Sequence, residues 1–134
     1  MGNRAVLEFE ECPGIGIYLH WHGGRDSIEA FVEYCHRRGF RGDDYGVARL
    51  TQVIANTFGG DLSVGVAMLD QLDCDNRDNG VYKIRLEDWT ITGRRFFKGK
   101  EQRFHDREEL IRLIDSRQPE NDRLYKEEGE SHED

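Results

Sequence analysis

Two consecutive segments with helical periodicity lie between segments with strand-like alternation, and this order limits the folds open to the chain. In residues 28–35, apolar side chains recur at positions 28, 31, 32 and 35, which is the spacing of one helix face. Gly39 is placed to end that helix. A second apolar stripe, at positions 47, 50, 54 and 58, predicts another helix directly after it. The sequence therefore predicts a helix pair inserted between groups of strands.

Strand-like runs cover residues 4–10, 16–21 and 62–69, and residues 81–97 supply one or two more. The Asn79-Gly80 pair is typical of a hairpin turn. A last helix is predicted to begin after Asp106, with Leu110, Leu113 and Ile114 on its buried side. The order β-β-α-α-β-β-β-α predicts an α+β fold, in which two or three helices pack on one face of a mostly antiparallel sheet of about five strands.

The 134 residues suit one domain, predicted at 1–118, followed by an acidic and flexible tail at 119–134. The last eight residues, EEGESHED, contain five acidic residues and no Lys or Arg. Without them, 22 acidic residues face 19 basic ones, so the domain itself is only mildly acidic. Direct nucleic-acid binding is not predicted, because it usually requires a basic face. The acidic charge favours a protein partner with a basic surface.

The chain has no apolar run near the ~20 residues that a membrane helix requires. Its three cysteines, Cys12, Cys35 and Cys74, are odd in number and widely spaced, which argues against a disulfide framework. These observations predict a cytoplasmic protein that does not enter a membrane.

The segment YLHWHGG, residues 18–24, is the first candidate functional site. If the strand continues through it, the period of two places Trp21 in the core and Tyr18, His20 and His22 together on the other face. Two histidines on one side of a strand could hold a transition metal and support a small metal-dependent hydrolase. A third ligand at a recognisable spacing is missing, so neither a metal nor another cofactor is predicted, and the hydrolase stays an alternative.

Gly23 and Gly24 precede the first helix, for which Asp26 or Ser27 is the expected N-cap. Glycines before a helix N-terminus can bind anions, and Arg25 adds a positive charge there. A small-ligand or nucleotide-binding module is therefore a second alternative, although no GxGxxG or P-loop pattern is present.

The start of the second helix is another candidate binding region. Asp43 or Asp44 is the expected cap, while Tyr45 and Arg49 lie four residues apart and are predicted to form one polar patch with His20. Nucleophilic catalysis is not predicted, because GxSxG is missing and Cys35 lies in an apolar stripe. The predicted binding residues are Tyr18, His20, His22, Gly23, Gly24, Arg25, Asp44, Tyr45 and Arg49.

These motifs resemble those of small phage, prophage and bacterial proteins with no established activity. The resemblance covers about residues 15–92 and is carried by Tyr18, His20, Trp21, Gly23, Asp44, Tyr45, Ala48, Arg49 and Gly65. It implies a non-enzymatic binding protein from a phage or mobile element, which inhibits or modulates a host protein such as a CRISPR or other defence component. The sequence leaves the oligomeric state open.

Overall fold

A computed structural model describes residues 2–59 and 63–125 of the protein, which form one sheet and three α-helices. The strands are β1 (Ala5–Phe9), β2 (Ile15–Leu19), β3 (Val64–Met68), β4 (Val81–Arg85) and β5 (Thr90–Arg95). The helices are α1 (Arg25–Arg38), α2 (Asp44–Phe58) and α3 (Arg107–Ser116), and short 3-10 turns cover Leu69–Gln71 and Glu120–Asp122. The predicted α+β class and the order of elements are confirmed.

The sheet has the order β3-β2-β1-β4-β5, and every neighbouring pair is antiparallel except β1 and β4. The hairpin predicted at Asn79-Gly80 is wrong, because β4 pairs with β1 and β5 and not with the preceding β3. Gly80 does have the positive φ of a turn, 64°. The turn is held locally by Asn76, whose side-chain oxygen accepts hydrogen bonds from the amides of Gly80 and Asp78, each at 3.0 Å.

The core lies between the helices and one face of the sheet. Leu7, Ile17 and Ile84, from three adjacent strands, are completely buried on that face. The predicted stripe of α1 is confirmed: Ile28, Phe31, Val32 and Cys35 are all buried. The helix ends at Gly39 with φ 71°, as expected. Its N-cap is Gly24, so the predicted caps Asp26 and Ser27 lie within the first turn of the helix.

Helix α2 begins with the predicted cap: the Asp43 carboxylate accepts a hydrogen bond from the Tyr45 amide at 3.0 Å. In its predicted stripe, Val47, Leu50 and Ile54 are buried and Phe58 is half-buried. Helix α3 is capped by Asp106, also as predicted. Among residues 2–59 and 63–125, no helix has the length and apolar character needed to span a bilayer.

The face of the sheet opposite the helices is crossed by residues 69–80. Leu69 and Leu72 lie over Gly16, where a Cβ atom would meet Leu72 Cδ1 at 2.8 Å. Val6 is completely buried beneath this crossing, and the Arg4 guanidinium pairs with the Asp78 carboxylate at 2.8 Å. The centre of the sheet is therefore covered on both sides.

The packed chain continues past the predicted domain boundary at residue 118. The buried Asp115 carboxylate accepts hydrogen bonds from Tyr34 Oη at 2.5 Å and from the amides of Leu124 and Tyr125 at 2.7 and 2.9 Å. Leu124 and Tyr125 pack against the core. The predicted tail thus contributes its first residues to the fold, and its remainder, 126–134, lies outside the described residues.

The two glycines at positions 80 and 65 provide a matched test of this packing. A Cβ at Gly80 would collide with the carbonyl oxygens of Arg95 and Phe96, whereas nothing lies within 4 Å of the Cβ position at Gly65. We expect Gly80→Ala to lower the free energy of unfolding by about 2–3 kcal/mol. Gly65→Ala should change it by less than about 1 kcal/mol. Urea unfolding of both variants measures the difference, and equal effects would contradict the packing around Gly80.

Candidate binding surface after strand β2

The predicted binding residues separate into two groups at opposite ends of the sheet. Strand β2 ends at Leu19, opposite Ala5 at the start of β1. The residues before α2 lie at the other end, where a Cβ at Gly42 would be 3.0 Å from Glu87 Cα, just after β4. Between Tyr45 and the last residue of α2, Phe58, the helix rises about 20 Å.

The ring of Phe58, at the far end of α2, lies 5.3 Å from that of His22. The predicted patch joining Tyr45 and Arg49 to His20 is therefore wrong. At the start of α2 the side chains make local contacts instead: Tyr45 lies under the Arg41 guanidinium at 4.3 Å, and Arg49 donates to Gln52 at 3.1 Å. Asp44 is exposed in the first turn.

The HWH stretch is a turn and not the end of a strand. The strand stops at Leu19, and His22 has the left-handed φ of 61°, which is uncommon for a residue other than glycine. Trp21, which lies between the strand end and His22, is 39% exposed. The predicted burial of Trp21 is wrong because the strand alternation from which it was inferred ends two residues earlier.

The two histidines that the alternation placed together have separate surroundings. His20 Nδ1 lies 3.0 Å from the Tyr18 hydroxyl, and its ring meets Trp21 edge-on at 4.8 Å. His22 packs on Phe58, where partial desolvation, with His105 and Arg117 nearby, lowers its pKa below the usual value. Throughout the described ranges, no three His, Cys, Asp or Glu side chains are close enough to hold a metal ion.

The Gly23-Gly24 turn is filled by the protein's own groups. The Tyr82 hydroxyl donates to the Gly23 carbonyl at 2.7 Å, and the Gly23 amide donates to the Asn3 carbonyl at 2.9 Å. A Cβ at Gly24 would collide with the Gln102 side chain. The glycines therefore permit close packing, and no space for a nucleotide opens at this turn.

Arg25, the cation predicted beside that turn, is paired within the protein. Its guanidinium contacts the carboxylates of Glu29 at 2.7 Å and Glu101 at 3.3 Å. Glu101 also pairs with Arg94, whose guanidinium stacks on the Tyr82 ring at 3.8 Å. Arg25 thus belongs to the network that holds residues 101–105 against the start of α1.

The turn places Trp21 and His22 at the edge of a groove of about 340 Å³ between the ends of α2 and α3. We call it the Trp21 groove. Leu113 is 39% exposed within it, and Arg117 is fixed there by a 3.1 Å hydrogen bond to the Thr57 carbonyl. Its lining residues are Trp21, His22, Thr57, Phe58, Leu113 and Arg117.

Leu113 and Arg117 were not predicted as site residues. The predicted burial of Leu113 is wrong: helix α3 has apolar residues at 110, 111, 113 and 114, and the structure buries Ile111 and Ile114 while Leu113 is exposed in the groove. Four apolar residues within five positions are more than one helix stripe can bury, and this excess is the signal that could have revealed an exposed Leu.

The Trp21 groove is lined by apolar, aromatic and polar side chains. It combines an aromatic indole, a second aromatic ring, an aliphatic side chain and one guanidinium, and aromatic residues and arginine are enriched where partners contribute most binding energy. It contains no cysteine or serine nucleophile. The surface is suited to burying an apolar side chain of a partner.

No protein-family model, curated protein or solved structure matches this chain. The resemblance to small phage and bacterial proteins therefore stays a prediction.

Residues 102–105 are held against the start of α1 by Asp26, whose side chain is buried. Its carboxylate accepts hydrogen bonds from the amides of Ser27, Phe104 and His105 at 2.8, 2.9 and 3.1 Å, and it lies 3.1 Å from His105 Nδ1. The Asp26 amide donates to the Gln102 carbonyl at 3.0 Å. Burial alone would raise the pKa of Asp26, but these hydrogen bonds outweigh it and lower the pKa.

We expect the contribution of Asp26 to stability to disappear in acid. Because its pKa is lower in the folded chain, its stabilisation is present above the unfolded pKa of about 3.9 and is lost as the pH falls through the folded value. Asp26→Asn should lower the free energy of unfolding by about 1–3 kcal/mol at pH 7, and this difference should shrink towards pH 3.

Asp75→Asn is the control, because Asp75 is exposed and makes no hydrogen bond or ion pair with the described residues. Urea unfolding from pH 7 to pH 3 provides the measurement. A difference between wild type and Asp26→Asn that stays constant over this range would contradict the role assigned to the carboxylate.

Proposed function

We propose that this chain is a non-enzymatic binding protein that occupies the surface of a partner protein through the Trp21 groove. The observation that carries the proposal is the outward position of Trp21, at a turn that requires a left-handed His22. Left-handed backbone at a residue other than glycine is unfavourable and concentrates at functional sites. Here it directly follows Trp21, whose large aromatic side chain is 39% exposed and lines the groove.

The groove supplies the rest of a binding site. Phe58 and Leu113 offer apolar surface beside Trp21, and Arg117 adds one fixed charge. The lowered pKa of His22 favours an uncharged imidazole at neutral pH, which costs less to desolvate in an interface than a cation does. A partner side chain that is aromatic or aliphatic fits this environment.

The charge of the chain supports a partner with a basic surface. Five acidic residues in the last eight positions account for most of the net charge of −8. Opposite charges at the periphery of an interface mainly accelerate association, while apolar anchors hold the complex together. We propose a host protein as this partner, such as a defence component, on the basis of the motif resemblance.

Neither the enzymatic nor the ligand-binding alternative gains support from the arrangement of residues. His20 and His22 do not share a face, and the Gly23-Gly24 turn is packed against Asn3, Tyr82 and Gln102. The buried Cys35 thiol has a pKa raised by desolvation, which leaves it unreactive.

The proposal predicts that Trp21→Ala weakens partner binding by about 2 kcal/mol or more, which corresponds to roughly 30-fold. Tagged wild type and variant proteins are expressed in cells of the natural host, and co-purified proteins are quantified. The protein retained by wild type is then purified and titrated against each variant.

Tyr45→Ala is the matched control, because Tyr45 is an aromatic residue of similar size, 54% exposed, at the opposite end of α2. It should change affinity less than about twofold. Equal binding by all three proteins, or a loss confined to Tyr45→Ala, would refute the Trp21 groove as the binding surface. Thermal unfolding verifies that each variant is folded.

A further inference from the structure

Strand β3 lies at one end of the sheet, with its outer edge unpaired by any strand of the described chain. Its hydrogen bonds to β2 involve alternate residues: the Leu69 amide donates to the Gly14 carbonyl at 2.7 Å, and the preceding residue, Met68, is opposite Ile15. In an antiparallel ladder, residues that do not bond inward direct their amides and carbonyls outward. By this register, those of Val64, Val66 and Met68 face away from the sheet.

This edge lacks the features that usually prevent strand addition. Its sequence, VGVAM, has no charge, no proline and no bulge, while Val66 is 49% and Met68 is 57% exposed. The opposite edge, β5, differs, since it carries Arg94 and Arg95 and a register shift against β4. The β5 edge therefore carries features that hinder the addition of another strand, whereas the β3 edge does not.

The occupant of β3 must be an uncharged strand with apolar side chains at alternate positions. The chain's own C-terminal segment, KEEGESHED at 126–134, contains no apolar side chain and cannot match it. Strand β3 itself does match. In an antiparallel pair centred on Val66, two Val66 side chains face each other and Val64 faces Met68, so only apolar groups meet.

Helix α2, which packs on the same face of the sheet, has small side chains at two of its exposed positions. Arg49, Gln52 and Asn56 face the depression formed with Gln118. At 100° per residue, the exposed Ala48 and Ala55 lie about 70–90° around the helix from the centre of that group. These two alanines add little bulk on the outer side of the helix.

We propose that two copies of this chain associate through β3, in antiparallel register about a two-fold axis at Val66, to form one continuous sheet. About six backbone hydrogen bonds and the apolar side chains of both strands hold the pair. The surface is separate from the Trp21 groove, so self-association and partner binding can be measured independently.

Sedimentation velocity of the full chain, from about 1 µM to about 1 mM, tests the proposal. Wild type should become dimeric within this range. Val66→Lys should be monomeric throughout, because it places two ammonium groups opposite each other at the axis. Val66→Thr, an uncharged residue with similar strand preference, is the matched control and should still dimerise.

A charge pair tests the register and does not depend on Val66→Lys. Val64→Lys alone should weaken association by about tenfold or more, and adding Met68→Glu should restore it. In the double variant, the introduced ammonium of each copy faces the introduced carboxylate of the other, so two ion pairs form across the axis. Far-UV circular dichroism confirms folding. A wild type that stays monomeric, a Val66→Lys variant that still dimerises, or a double variant without recovery would overturn the proposal.

Discussion

The parallel pairing of β1 with β4 is the constraint on which the remaining structure depends. Strand β3 runs in the same direction as β1, so the chain must return along the whole sheet before β4 can begin. Residues 69–80 make this return over the face opposite the helices. They cover Val6 and finish where the Val6 amide donates to the Gly80 carbonyl at 2.9 Å. With this pairing, residues 69–80 cover one face of the sheet, the helices cover the other, and β3 is left as an edge strand.

Local patterns were sufficient to predict the elements but not their partners. The stripe at 28–35 and the caps Asp43 and Asp106 depend on neighbours within a few residues, and all three are confirmed. The Asn79-Gly80 hairpin failed because the choice of β1 as partner for β4 depends on residues that are far apart in the sequence. A turn residue such as Gly80 indicates the local φ angle, but it does not indicate with which strand the following strand pairs.

The candidate site shows the same limit. The alternation holds as far as Leu19, which is buried together with Ile17, but it could not show that the strand ends before Trp21. Asn3 and Gln102, which are distant in sequence, fill the space around the Gly23-Gly24 turn that follows. Leu113 and Arg117 join Trp21 only because α3 packs beside the end of α2. A surface assembled from three elements has no continuous sequence signature.

The unlike edges of the sheet also determine how far self-association can proceed. If both edges lacked such protective features, each added copy would expose another unpaired strand edge, and the chains would form an open-ended fibre. In the proposed dimer, the β3 edges of the two copies pair with each other. The edges that remain unpaired are those of β5, with their arginines and register shift. Such an isologous contact closes on itself. The same strand that makes the protein self-associate therefore also makes its assembly finite.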